Sequence, residues 1–125
     1  MSDATSFGIE ILESQAVLAK SVTVTGEIYC DEPLIIEGEV NGTIDVTGRL
    51  LTIAPDGNVG ASVKAGGIDV LGSLQGTVEE AEKIYIRNGA RFVGDIHARC
   101  IVIEDGGLVR GKVDLLRQSI FPFSG

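Results

Sequence analysis

The chain lacks most of what a catalytic or nucleic-acid-binding protein needs. One histidine among 125 residues excludes a three-histidine zinc site. The two cysteines, Cys30 and Cys100, are spaced for neither a zinc site nor a CxxC redox pair. No GxGxxG or GxxxxGKS/T loop is present to cradle a nucleotide phosphate, so no cofactor is expected. A net charge of −8 argues against nucleic acid as a partner, because that binding rests on Lys and Arg neutralising phosphates. No apolar run approaches the ~18 residues of a membrane-spanning helix. The first twenty residues lack the basic start and compact apolar stretch of a secretory signal, which makes the cytoplasm the expected compartment. Helical 3.6-residue spacing nowhere persists beyond about one turn.

What is present is a repeat. The phrase apolar–x–small–x–apolar occurs six times, centred on Gly26, Gly42, Ala61, Gly76, Gly94 and Gly111. A second phrase, apolar–x–apolar, precedes five of these: Leu34/Ile36, Leu51/Ile53, Ile68/Val70, Ile84/Ile86 and Ile101/Ile103. Successive pairs are 17, 17, 16 and 17 residues apart. Alternation with period two and an abundance of Val, Ile and Thr make the elements strands. A coil of about 17 residues holds three short strands, which predicts an all-β, triangular parallel β-helix of about six coils. Pro55-Asp56-Gly57, Asn88-Gly89 and Asp105-Gly106-Gly107 supply corner chemistry just after the Ile53, Ile86 and Ile103 strands.

The small residues at 26, 42, 61, 76, 94 and 111 share parity with apolar neighbours such as Val40 and Ile44, so they are expected to point inward. Stacked coils would place them in one column, as a packing device in a narrow interior. Asn41-Gly42 is a hairpin signal by itself. The residue before the column varies from coil to coil, however, which makes that match an accident of the repeat.

The segments LIIEGEVNGTI (34–44), NGARFVGDIHA (88–98) and IVIEDGGLVRG (101–111) resemble the repeats of the bactofilins, bacterial cytoskeletal proteins. The resemblance covers roughly residues 21–114. It implies a right-handed β-helix that assembles end to end, without nucleotide, into filaments lacking overall polarity. It also implies a scaffold at the inner face of the cell membrane that supports cell shape, wall synthesis or the placement of polarity proteins. Family members usually carry a phenylalanine where this chain has Val109.

Polymerisation is also expected on physical grounds. The end coils of a parallel β-helix expose unpaired backbone and an apolar cross-section, a template for another chain. The contact residues expected from this are Val24 and Ile28 at one end and Val109, Val113, Leu115 and Leu116 at the other. On this reading the β-helical domain spans 21–114, between an N-terminal tail (1–20) and a short apolar C-terminal tail (115–125). Membrane contact, if the N-terminal tail makes it, would fall to Phe7, Ile9, Ile11 and Leu12. Glu10 and Glu13 oppose anionic lipid there, so a free tail or an extra edge strand fits better.

Two other classes compete. A left-handed β-helix acyltransferase would need a strict six-residue repeat, off which the intervals drift, and a base for which only His97 is available. A monomeric, capped solenoid is the other, a binding module. The carboxylates Glu37, Glu39 and Asp45 read as a solvated acidic wall rather than a calcium ladder. Charge is uneven. Residues 1–62 hold ten acids and two bases, and residues 63–125 hold eight of each.

Overall fold

A strand that buries every second side chain still needs partners for its backbone N–H and C=O groups, and this chain finds them in its own next repeat. A computed structural model describes residues 9–11 and 16–115, all built from strands and corners. The in-phase apolar pairs stack as one wall. It runs through β2 (Ala16–Leu18), β4 (Leu34–Ile36), residues 51–53 of β5 (Glu39–Ile53), residues 68–70 of β6 (Asn58–Val70), β8 (Lys83–Ile86) and β10 (Cys100–Ile103). Leu34 lies opposite Leu51, Leu51 opposite Ile68, Ile68 opposite Ile84, and Ile84 opposite Ile101, which is the register that the intervals predict. The other two walls are formed by β3 (Thr23–Tyr29), the first parts of β5 and β6, β7 (Ser73–Glu80), β9 (Arg91–Ala98) and β11 (Leu108–Leu115). All of these pairings are parallel. The result is a β-solenoid of six coils, beginning at Ala16, Leu34, Leu51, Ile68, Ile84 and Ile101.

The core is a single column of aliphatic side chains around Phe92, with no buried polar or charged residue among those described. Its first rung was not legible as part of the repeat. Ala16 and Leu18, 2% and 0% exposed, repeat the apolar–x–apolar phrase inside the stretch read as an N-terminal tail. Alanine in the first position hid the match. Beyond them, β1 (Ile9–Ile11) pairs with β2, and this pairing is antiparallel.

The small-residue column forms in register, Gly26 against Gly42, then Ala61, Gly76, Gly94 and Gly111, but it is not interior. Gly26, Gly42, Gly76 and Gly111 are exposed and Gly94 is half-buried; of the column only Ala61 is buried. The five glycines have φ between +131° and +138°. They mark a corner where each strand bends from one wall to the next. A Cβ at Gly42, Gly76, Gly94 or Gly111 would overlap the carbonyl oxygen of the column residue one coil earlier. Glycine is required here by backbone conformation and by backbone-to-backbone approach, and not by side-chain crowding.

The remaining corners absorb the uneven repeat lengths. Residues 47–49 of β5 face only Gly66 of β6, an insertion held by Thr47, whose N–H and Oγ1 both donate to Asp45 Oδ1 at 3.2 and 2.6 Å. Where the sequence predicted corners, hydrogen-bonded turns run from Gly57 N to Ala54 O, Ala90 N to Arg87 O and Gly107 N to Glu104 O. On the outside, Arg87 braces three coils. It donates through Nε and Nη2 to both Asp69 oxygens (2.7 and 3.2 Å) and through Nη1 to Glu104 Oε2 (2.8 Å), and it lies 4.6 Å over the Tyr85 ring.

Two stability predictions follow from this geometry. Gly94→Ala should cost more than Gly26→Ala in chemical denaturation, because both sites strain at positive φ but only Gly94 has a carbonyl in the way. The strain alone is worth about 1–3 kcal/mol. Gly94→Val should be worse still, and Asp95→Val, on an exposed site, nearly neutral. Separately, Arg87 and then the Asn88 N–H hold the Glu104 carboxyl below its ordinary value of 4.5. A depressed folded-state value means stabilisation present above the unfolded value and lost as pH falls through the folded one. The melting temperatures of wild type and Glu104→Gln should therefore converge as pH is lowered from about 6 to about 3.

Candidate assembly faces at the two ends

Every inward side chain in the middle coils is covered by its equivalents above and below. Among the described residues, the last coil has that cover on one side only. Ile84, Ile86, Phe92, Ile96 and Ala98 of the fifth coil are all 0% exposed. Their in-register successors are Ile101, Ile103, Val109, Val113 and Leu115. Of these, Ile103, Val113 and Leu115 are 48%, 39% and 50% exposed, and Ile101 and Val109 are half-buried. Leu108, on the outer side of β11, adds a further exposed apolar residue. Among the described residues, β10 pairs only with β8 and β11 only with β9, so the outer edges of all three walls carry free backbone groups.

The N-terminal face is different. Ala16 and Leu18 are buried, Ile28 is 9% exposed, and Val24 and Cys30 are half-buried. The edge of β2 is occupied by β1, while among the described residues β3 pairs only with β5. Among those residues one wall of this face is closed and two are open.

The sequence-derived contact set is thus placed unevenly. Val109, Val113 and Leu115 lie together on the C-terminal face, and Leu116 lies outside the described residues. Val24 lines the N-terminal face, but Ile28 is already covered within its own chain. Ile101 and Ile103 lie on the same C-terminal face and were not in that set; among the described residues nothing follows them in phase. Ile9 and Ile11 fall in β1; Phe7 and Leu12 lie outside the described residues.

Charge separates the two faces further. The first coil and its exit carry Lys20, Glu27, Asp31 and Glu32. Glu27, by its charge and then as acceptor of the phenol's hydrogen bond (3.3 Å), holds the Tyr29 hydroxyl above its ordinary pKa, with Asp45 adding to the effect. Around the last coil the signs balance: Arg99, Arg110 and Lys112 against Glu104, Asp105 and Asp114.

Elsewhere the surface offers little chemistry. His97 stands 3.5 Å from the Asp114 carboxylate across neighbouring coils, on a half-exposed wall. A recess along one corner is lined by Thr47, Gly66, Glu79, Glu80, Glu82 and Arg99, with no histidine, cysteine, serine or lysine in its lining. Cys30 and Cys100 are free thiols. Among the described residues no three His, Cys, Asp or Glu side chains converge as a metal site, and no helix is long and apolar enough to cross a membrane.

The chain is similar to known proteins over most of its length. The family model for bactofilins, described as polymer-forming cytoskeletal, matches residues 16–114. The chain is 33% identical over 104 residues to bactofilin BacO of Myxococcus xanthus (strain DK1622), covering 83% of this chain and 82% of that protein. It is 33% identical over 99 residues to bactofilin BacP of the same organism, covering 79% of this chain and 41% of that protein. No solved structure matches significantly. The family match begins at Ala16, the first residue of β2, and ends at Asp114, within the last described strand. The chain belongs to the bactofilin family of polymer-forming cytoskeletal proteins.

Proposed function

We propose that this protein assembles end to end, without nucleotide, into filaments in which like ends meet like. The observation that carries the reading is the loss of cover on the last coil, where five core positions pass from full burial to partial or open exposure within one repeat. Burying such a face against a second solenoid continues both the aliphatic column and the backbone ladder.

The lack of polarity has its own support. In a head-to-tail stack, β10 of one chain would pair with β2 of the next, as β8 pairs with β10 within one chain. That edge of β2 is taken by β1. A seamless continuation from C-terminal to N-terminal face is blocked on one wall, whereas two C-terminal faces meet with all three walls unpaired among the described residues. Such a contact is two-fold symmetric, with the same patch on both partners.

The cellular role that goes with this assembly is a scaffold at the inner face of the membrane, supporting cell shape or the positioning of other proteins. Membrane attachment is the part of the proposal that rests on family membership. Ile9 and Ile11 already belong to a strand paired within the chain, so membrane contact by that segment would compete with β1.

Filaments should form equally with and without ATP, GTP or EDTA in negative-stain images; collapse in EDTA would point to a metal the reading omits. Val109→Arg should give folded, short species. A guanidinium at that position would have to be buried without a partner between subunits, yet at a free end it can reach water. Filaments of Val109→Arg matching the parent in length would remove the C-terminal face from the contact.

A further inference from the structure

The last coil leaves one main-chain series unfinished, and the sequence that follows holds the next donor in phase. We infer that residues 118–121 seat on Ile101 and Ile103 as a seventh rung of the wall of in-phase pairs. Growth through the C-terminal face then requires this rung to lift. That consequence rests on the end-to-end reading above; the contact itself does not.

Each rung of that wall is tied to the next by the same main-chain bond. The series runs from Glu37 N donating to Leu18 O, at the first rung, to Glu104 N donating to Ile86 O, at the fifth, with lengths of 2.8–3.0 Å. The donor lies 17 to 19 residues after its acceptor. Ile103 O is next in the series, and no described residue donates to it. The same count from Ile103 reaches Ile120, Phe121 and Pro122, and the commonest interval, 18, falls on Phe121. Pro122 has no N–H, so the ladder ends there. Side chains fall in phase as well. Five positions lead from Ala81 to Ile86 and from Ala98 to Ile103, and five lead from Leu115 to Ile120. Leu115 is in register with Ala98, so Ile120 reaches the place above Ile103, whose side is 48% exposed. Gln118 takes the place opposite Ile101, and a polar residue there makes this rung weaker than those below it. A contact that must open needs that weakness. At the other end of the solenoid the same wall is already closed, by β1 on β2. A seated tail and an incoming copy compete for Ile103 and the free edge of β10. A subunit whose tail is seated for about nine-tenths of the time binds about tenfold more weakly.

Amide exchange in the full chain tests the contact, and light scattering tests its consequence. Glu104 N points back to Ile86, so by strand alternation the Ile103 N–H faces the open edge. In a Val109→Arg background, which bars other copies from the C-terminal face, the Ile103 amide should exchange slowly. Adding Ile120→Asp should speed it about tenfold or more, the loss expected for one buried isoleucine. Ser119→Asp adds the same charge one position out of phase and should leave exchange slow. Without Val109→Arg, the Ile120→Asp chain should assemble at about tenfold lower protein concentration than the parent, and Ser119→Asp should match the parent. This second arm decides the matter even where Val109→Arg misfolds, and a thermal melt verifies each fold.

Fast exchange at Ile103 whatever stands at position 120 would overturn the inference and leave end-to-end assembly intact. Weaker assembly of Ile120→Asp would overturn it too, because the tail would then bridge subunits instead of covering its own last coil. Equal assembly of Ile120→Asp and the parent would strike out the part concerning growth. Exchange that is slow only with Ile120 present, in chains that never assemble, would uphold the rung and defeat the end-to-end reading instead.

Discussion

The structure depends on one constraint: a parallel β-solenoid satisfies its backbone only by stacking, and stacking has no internal reason to stop. Each coil is both partner and template. The aliphatic column obeys the same rule, since an inward side chain is buried by its equivalents above and below rather than by an opposing layer. A globular sandwich or bundle closes its core within the chain. Here closure along the axis must come from outside the repeat, by a cap or by another copy. The described part of the chain has one partial cap, β1 on β2, and it sits at the N-terminal end.

Within the column, the corner glycines set how closely the coils can stack. At Gly42, Gly76, Gly94 and Gly111, backbone of one coil runs where a Cβ of the next would otherwise be. Neighbouring coils thus touch through main chain at this corner and through aliphatic side chains in the interior. The Arg87 brace to Asp69 and Glu104 adds a charged tie on the outside, and it joins the fourth, fifth and sixth coils, next to the bare face. The last coil is thereby held in register although no described residue covers it.

Much of this was legible in the sequence because the repeat is strict where it matters. Five in-phase pairs gave the coil length and the register, and the register held residue for residue from Leu34 to Ile103. Four things escaped for physical reasons. Parity alone assigned the column glycines inward, since alternation assumes a straight strand and cannot see a bend with positive φ. The first rung was missed at Ala16 because alanine carries too little apolar signal to complete the phrase. Ile101 and Ile103 read as core like their four predecessors, since exposure at an end depends on what fails to follow, not on the residue. The insertion at 47–49 was likewise silent in the pair spacing, because the preceding corner cancels it, with residues 37–38 opposite 54–57.

The central claim is that coils continue across subunit boundaries, with like ends meeting. Diffraction or image averaging of aligned filaments measures this directly. The account predicts a strong meridional spacing of about 4.8 Å along the filament axis, from the stacked strands. It also predicts a longer axial repeat of two subunits, roughly 58 Å for twelve coils at that rise. An axial repeat of one subunit, near 29 Å by the same arithmetic, would mean head-to-tail polarity, and a 4.8 Å spacing off the axis would mean that the solenoids do not stack end to end at all.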